Sequence, residues 1–166
     1  MTREEAIARD LKRNVWTVMG LPFDCTTEQE TTDHLIDAML KEERCFFTTP
    51  NLNFAITAQN DSQFRDSVIN SDWVVADGMP LIWIAKSLGI PLPERVAGSS
   101  VFERLRRDYK NPDRPIRVVF FGGPDGTASE AFKKIASDSS YMEVVGFYSP
   151  GFGSMEEMSD PEIIKQ

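Results

Sequence analysis

Histidine and cysteine are scarce in this 166-residue chain, which contains one histidine and two cysteines. Cys25 and Cys45 stand alone, without the paired spacing of a zinc site or of a disulfide framework. His34 lies among charged residues, and no Ser or Cys nucleophile motif accompanies it, so we expect a solvated surface residue. This composition argues against a structural zinc site, a disulfide scaffold and histidine-assisted nucleophilic catalysis. A reducing cytoplasm is the expected compartment.

Basic residues and long apolar runs are also in short supply. The chain has 18 Lys and Arg residues against 26 Asp and Glu residues, for a net charge of −8. This balance argues against a general nucleic-acid-binding protein, although a local cluster of donors can still bind a small anion. The apolar runs are too short to span a bilayer, and the N-terminus lacks the apolar core of a signal peptide. The length and the 41% hydrophobic content are those of about one soluble domain.

Short apolar runs alternate along the chain with stretches of helical periodicity. Strands are predicted over 15–19, 45–49, 73–76, 116–121 and 141–148. Helices are predicted over 28–41, 62–70, 79–88, 101–109 and 127–137, with a short helix from Phe54; Thr26 and Thr27 are candidate caps for the first. Segment 20–24 is expected to close the first strand, and 90–100 to form a proline-punctuated loop. This alternation predicts an α/β fold with a Rossmann-like, mainly parallel sheet and helices on both faces, in one domain over 1–166.

The run 73–76 ends at Asp77, which is followed by Gly78 and by a helix with Pro80 in its first turn. A strand that ends in an acid and turns into a helix places that acid at the carboxyl edge of the sheet. In open α/β folds this edge is where ligands bind. Asp77 is therefore a candidate for acid–base chemistry. The alternative is that it caps the helix or shapes the turn.

Two further strand ends carry residues suited to a ligand. Thr49 and Asn51 offer a hydroxyl and an amide for sugar or base hydroxyls. Gly122 and Gly123 let a phosphate or a nucleobase approach the backbone, before a helix whose N-terminus favours negative charge. The alternative for the glycine pair is a simple turn. In a parallel sheet, all of these strand ends are expected to lie along one edge.

Arg95 adds a planar donor fork suited to a diphosphate group. The alternative for this side chain is a surface ion pair with Glu94. The glycine pattern is not GxGxxG, and no Walker lysine is present, so neither dinucleotide nor P-loop NTP binding is predicted. No dense acidic cluster or DxD triplet marks a metal site.

Four of these segments form an ordered set of motifs. They are Thr-Pro-Asn at 49–51, Ala-Asp-Gly-Met-Pro-Leu at 76–81, Pro-Glu-Arg-Val-Ala-Gly at 93–98 and Phe-Phe-Gly-Gly at 120–123. In order and spacing, from about residue 15 to 153, they resemble the WecG/TagA/CpsF glycosyltransferases, glycosyltransferase family 26. The resemblance implies an enzyme that transfers an N-acetylmannosamine-like sugar from a UDP-sugar to an undecaprenyl-diphosphate-linked acceptor. Such enzymes build teichoic acid, capsule or exopolysaccharide at the bacterial cell surface.

The resemblance also implies roles for individual residues. Asp77 corresponds to the proposed general base, and Thr49, Asn51 and Arg95 correspond to positions around the donor sugar and its diphosphate. The turn at 122–123 corresponds to the nucleotide side of the cleft. The implied reaction inverts the anomeric centre and needs neither a metal nor another cofactor.

The resemblance further implies a longer protein, of which these residues would be the N-terminal two-thirds. Family members continue with a strand, an active-site loop and a basic segment that contacts the membrane. The expected partners are thus the UDP-sugar, the lipid-linked saccharide acceptor, the membrane through that further segment, and a second copy of the chain, but no nucleic acid. The expected location is the cytoplasm, at the inner face of the membrane. Activity of these 166 residues alone stays open, and the alternative is a non-catalytic nucleotide-sugar-binding or regulatory module.

Overall fold

The computed structural model describes residues 13–124, 126–136, 141–149, 151 and 153. The chain divides into two compact units, Met1–Leu105 and Arg106–Gln166. The strands found are β1 (Val15–Val18), β2 (Leu21–Asp24), β3 (Phe47–Thr48), β4 (Trp73–Val74), β5 (Ile116–Phe121) and β6 (Met142–Tyr148). The helices found are α1 (Glu28–Leu40), α2 (Leu52–Asn60), α3 (Ser62–Ile69), α4 (Met79–Ser87), α5 (Gly98–Asp108) and α6 (Thr127–Ala136). Among the described residues, none of the helices is both long and apolar enough to cross a membrane.

The predicted α/β class is confirmed. The described strands pair in three two-stranded sheets, of which β3–β4 and β5–β6 are parallel and β1–β2 is antiparallel. Both parallel pairs join strands that are separated along the chain by at least one helix, as parallel pairing requires. The ends of β3 and β4 lie at the same edge of their sheet, which matters for the residues that follow them.

Residues 21–24 form a strand, so the interpretation of 20–24 as the closing loop of the first strand was wrong. Met19 and Gly20 have positive φ angles of 51° and 82°, which suit the two-residue turn of a tight hairpin. The chain therefore reverses at once, and Leu21–Asp24 pairs with Val15–Val18. Pro22 made this strand hard to predict from the sequence, because proline cannot donate a hydrogen bond to a neighbouring strand.

The segment that contains β4 is buried on both faces. Val74 and Ala76 belong to one apolar cluster, which also includes Leu81 and Ala85 of α4. Val75, between them, belongs to a second cluster, which includes Val101 of α5. Alternate side chains of one strand thus enter different cores, as in a parallel sheet that has helices on both sides. The candidate base at position 77 therefore directly follows three buried residues, 74–76.

The start of α1 confirms a prediction made from the sequence. Thr27 is the N-cap, and its hydroxyl accepts a hydrogen bond from the Glu30 N–H, while the Glu30 carboxylate accepts one from the Thr27 N–H. This is a capping box, which satisfies two backbone donors at the helix start. The hydrogen bond from the Thr27 backbone, the larger contribution, and that from its hydroxyl lower the pKa of Glu30.

His34 is packed against an aromatic ring, and the expectation of a solvated side chain was wrong. Its ring stacks on Trp73 with a centroid distance of 4.0 Å and an interplanar angle of 18°. The Cys45 Sγ lies 3.9 Å from its Nε2. Neither Cys25 nor Cys45 forms a disulfide. The charged neighbours of His34 in sequence gave no sign of this stacking, because Trp73 is 39 positions away along the chain.

The second unit contains β5, β6 and α6. The two strands pair over Ile116↔Met142 to Phe121↔Tyr148, with a shift of register between Val118 and Val119. Phe132 of α6 packs against Phe147 of β6 at a ring-centroid distance of 5.5 Å. The predicted strand over 116–121 is confirmed at both ends.

Candidate functional site

Three loop segments meet where β3 and β4 end. The N–H of Val75 donates to the Thr48 carbonyl at 3.0 Å, and that of Asp77 donates to the Pro50 carbonyl at 2.9 Å. The N–H of Val96 donates to the Ala76 carbonyl at 2.9 Å. These backbone hydrogen bonds continue the parallel pairing past the strands and add a third segment beside it. They bring residues 49–51 and 77–78 together, as predicted from the carboxyl edge of a parallel sheet, and they place 95–98 beside them, which the sequence did not predict.

The side chains of Asp77 and Arg95 face each other across this edge. The Arg95 Nη1 lies 3.6 Å from the Asp77 Oδ1, and the two side chains are 46% and 31% exposed. Among the described residues, this is the sole polar contact of the Asp77 carboxylate. The side chain is thus partly open to solvent and available to a ligand.

The alternative interpretation of Asp77 as a helix cap was wrong. The N-cap of α4 is Gly78, which has no side chain to form a capping hydrogen bond, and Asp77 does not occupy the cap position. Gly78 has a φ of 146°, a conformation that side-chain-bearing residues rarely adopt. The glycine therefore makes the sharp turn between strand and helix, and the carboxylate of Asp77 faces Arg95 rather than the helix start.

The alternative interpretation of Arg95, a surface ion pair with Glu94, was also wrong. The Glu94 carboxylate accepts a hydrogen bond of 2.7 Å from the backbone N–H of Glu28, in the first turn of α1. A carboxylate at a helix N-terminus is stabilised by the unpaired amides and the helix dipole. Glu94 thus holds the 93–98 loop against α1, and the neighbouring Arg95 is directed to Asp77.

Asn51 combines a structural contact with an available donor. It is the N-cap of α2, where its Oδ1 accepts a hydrogen bond of 3.2 Å from the Phe54 N–H. Its amide nitrogen makes no hydrogen bond within the described part of the chain. The added Cβ of an alanine at position 78 would lie 3.8 Å from the Asn51 Cβ, so this residue borders the turn after Asp77.

Thr49 lies against Gly98, the first residue of α5. A Cβ added to Gly98 would come within 3.3 Å of the Thr49 Cγ2 and 3.5 Å of its Oγ1. Glycine thus permits an approach that a larger residue would obstruct. The Thr49 hydroxyl makes no hydrogen bond to the residues that the structure describes.

Sequence reasoning missed the importance of Gly98. It expected a loop through position 100, whereas the helix begins at Gly98. The available signal was the glycine that ends the 93–98 motif, since a glycine can mark a site where another segment of the chain approaches closely.

Gly122 and Gly123 lie in the second unit, between β5 and α6. Their φ angles of 89° and 79° require glycine, so this pair does form the turn considered as its simpler role. The Gly122 N–H donates to the Tyr148 carbonyl at 2.9 Å. Contact of this turn with a nucleotide stays a prediction.

At the ends of β3 and β4, the charged side chains of the candidate site are one acid, Asp77, and one base, Arg95. Nowhere in the described part of the chain do three His, Cys, Asp or Glu side chains come together as a metal site requires. The site offers one carboxylate, one guanidinium, one hydroxyl and one amide, of which only the amide's oxygen is committed to a hydrogen bond. Chemically, this set can accept a proton, neutralise an anion and orient hydroxyl groups.

Comparison with known proteins agrees with the family resemblance seen in the sequence motifs. The model of the WecG/TagA/CpsF glycosyl transferase family matches residues 16–166. An N-acetylglucosaminyldiphosphoundecaprenol N-acetyl-beta-D-mannosaminyltransferase of Bacillus spizizenii is 26% identical over 120 residues, 72% of this chain and 46% of the relative. A protein of the same name from Bacillus subtilis strain 168 is 21% identical over 137 residues, 82% of this chain and 52% of the relative. The chain therefore spans about half the length of these relatives. Since the family model matches residues 16–166, which is most of the chain, the chain belongs to the WecG/TagA/CpsF family of glycosyltransferases.

Proposed function

We propose that this protein transfers an N-acetylmannosamine-like sugar from a UDP-sugar to a saccharide linked to undecaprenyl diphosphate, with inversion of the anomeric carbon. The family and the printed names of the two relatives support the reaction class and the kind of acceptor. The observation that carries the proposal is the partly exposed Asp77 carboxylate, 3.6 Å from Arg95 at the strand ends. A proton acceptor and a cation at one edge are what this transfer needs from a protein.

Asp77 is assigned the part of general base. The acceptor hydroxyl attacks the anomeric carbon from the face opposite the UDP group. As this bond forms, the hydroxyl proton passes to the carboxylate, and the bond between the anomeric carbon and the diphosphate oxygen breaks. The bonding electrons leave with UDP.

Arg95 is assigned to the diphosphate of the donor. Negative charge grows on the leaving UDP as its bond to the sugar breaks, and a fixed guanidinium stabilises that charge. The distance of 3.6 Å to Asp77 is longer than a direct hydrogen bond. The donor groups of Arg95 are consequently accessible to a ligand without first breaking a tight ion pair.

Thr49 and Asn51 are assigned to hydroxyl groups of the donor. The carbonyl of Pro50, between them, accepts the N–H of Asp77, so their loop is tied to the candidate base by the backbone. The Thr49 hydroxyl and the Asn51 amide nitrogen remain for a ligand. Groups held in this way can orient a sugar at little cost in conformational entropy.

The test is calorimetry followed by a transfer assay. The chain should bind UDP and UDP-N-acetylmannosamine, and should form a disaccharide on a short-chain polyprenyl-diphosphate N-acetylglucosamine. Product analysis by NMR should show inversion at the anomeric carbon. Absence of binding to either nucleotide would contradict the proposal. Binding without transfer would instead favour the nucleotide-sugar-binding module.

A further inference from the structure

Helix α4 presents apolar side chains to solvent directly after the candidate base. Met79 and Trp83 are 44% and 62% exposed, and Leu88, just past the end of the helix, is 63% exposed. Residues four apart lie on the same side of a helix, so Met79 and Trp83 form one stripe. The opposite side of the helix is fixed in the core by Leu81 and Ala85, both fully buried. The helix therefore holds its exposed apolar stripe in place.

The charge of α4 differs from that of the chain as a whole. The helix contains no acidic residue, although the chain has 26, and its one charged side chain is Lys86. Lys86 is seven residues after Met79 and shares the exposed side of the helix. A tryptophan beside aliphatic groups, with a lysine whose stem can lie along apolar surface, is a combination of side chains that suits a membrane interface.

The location of this stripe matches a substrate that arrives on a lipid. Met79 begins α4 two residues after Asp77. With a rise of about 1.5 Å per residue, Trp83 lies roughly 6 Å further along the axis than Met79. A lipid-linked acceptor must bring its hydroxyl to Asp77 while its hydrocarbon chain stays in the bilayer. A membrane-contacting surface beside Asp77 would satisfy both requirements.

We propose that the stripe formed by Met79 and Trp83 docks on a phospholipid bilayer and thereby presents Asp77 to the membrane-bound acceptor. The docking surface follows from exposure and charge, whereas the nature of the acceptor rests on the proposed function. The stripe lies within the described chain, so this contact is distinct from the membrane contact expected of a further C-terminal segment. It uses burial of apolar surface rather than attraction to anionic lipid, which suits a chain of net charge −8.

The test uses the 166-residue chain and vesicles of phosphatidylcholine, which carry no net charge. Trp83→Gln should weaken co-flotation with the vesicles by about tenfold or more, because a large aromatic group no longer leaves water. Trp16→Gln is the matched control, since Trp16 is also an exposed tryptophan (40%) of the same unit but lies on β1. This control should float like the wild type. In vesicles with brominated acyl chains, quenching of tryptophan fluorescence should occur in the wild type and in Trp16→Gln, and disappear in Trp83→Gln.

Three results would overturn the proposal. The first is failure of the wild type to float, and the second is equal flotation of wild type and Trp83→Gln. The third is a change from dimer to monomer in light scattering for Trp83→Gln with vesicle binding intact, which would assign the stripe to a second copy. Urea unfolding and a Met79→Gln variant, expected to weaken flotation to a smaller degree, guard against a folding defect. Because no nucleotide is present, the vesicle result decides this proposal whether or not UDP binds.

Discussion

The Arg95 Nη1 lies 3.6 Å from the Asp77 Oδ1, although the two residues are 18 positions apart in the sequence. Both side chains are partly exposed, and exposed ion pairs typically contribute only about 0–1 kcal/mol to stability. The pair is therefore a weak element of the fold. Replacement of either residue should change ligand binding or turnover far more than it changes the free energy of unfolding.

Arg95→Ala should lower the affinity for UDP by roughly 10- to 100-fold, which is the loss expected for one or two charge-assisted hydrogen bonds to a diphosphate. Uridine, which lacks the diphosphate, should lose much less. Calorimetry with both ligands measures the difference. Arg65→Ala is a matched control, because Arg65 is 47% exposed and pairs with Asp66 at 3.8 Å on α3. An equal loss of affinity for UDP and for uridine would contradict the assignment of Arg95 to the diphosphate.

Asp77→Asn should lower turnover about 10²- to 10⁴-fold in a transfer-active preparation, because general base assistance is lost. Donor affinity should change little, since asparagine keeps the size and part of the hydrogen bonding. The measurement is single-turnover transfer at saturating donor. Asp61→Asn is the control: Asp61 caps α3 through the Phe64 N–H at 2.9 Å, and asparagine caps equally well. A near-normal rate for Asp77→Asn would leave this residue without a catalytic part.

Gly98→Ala should destabilise the fold by about 1–3 kcal/mol, because its Cβ would meet the Thr49 Cγ2 at 3.3 Å. Thr49→Ser removes that methyl group and keeps the hydroxyl. The double variant should therefore recover most of the loss, and urea unfolding of all four forms gives the coupling energy. Thr49→Ser alone is the control. Additive effects of the two substitutions would show that the contact does not govern this position.

Asp24→Asn should cost about 3–5 kcal/mol of stability, because it breaks a buried ion pair and leaves a charge behind. Asp24 is only 3% exposed and accepts two hydrogen bonds from Arg13, at 2.8 and 2.6 Å, and one of 2.8 Å from the Val74 N–H. Asp37→Asn is the contrast, since Asp37 pairs with Lys41 on the exposed surface of α1. That change should cost less than about 1 kcal/mol. Urea midpoints that shift equally for both variants would contradict the buried role of Asp24.

Much of this protein was predictable from short stretches of sequence. The pair Thr26 and Thr27 predicted the start of α1, and the run before Asp77 predicted a strand whose end carries an acid. These features depend on hydrogen bonds and periodicities within a few residues, and that is the range over which sequence patterns are informative. The order of the four motifs likewise indicated the family.

The partners of the site residues were decided only by the tertiary structure. Sequence proximity favoured Glu94 for Arg95, yet Glu94 binds the start of α1, and Asp77 faces the guanidinium. Thr49 and Gly98 are similarly far apart in the chain and in contact in the fold. Such contacts depend on the register of β3 against β4 and on where α5 begins, because a shift of one residue turns a side chain to the other face. The residue types of the site were thus encoded locally, whereas their pairing required the packed sheet.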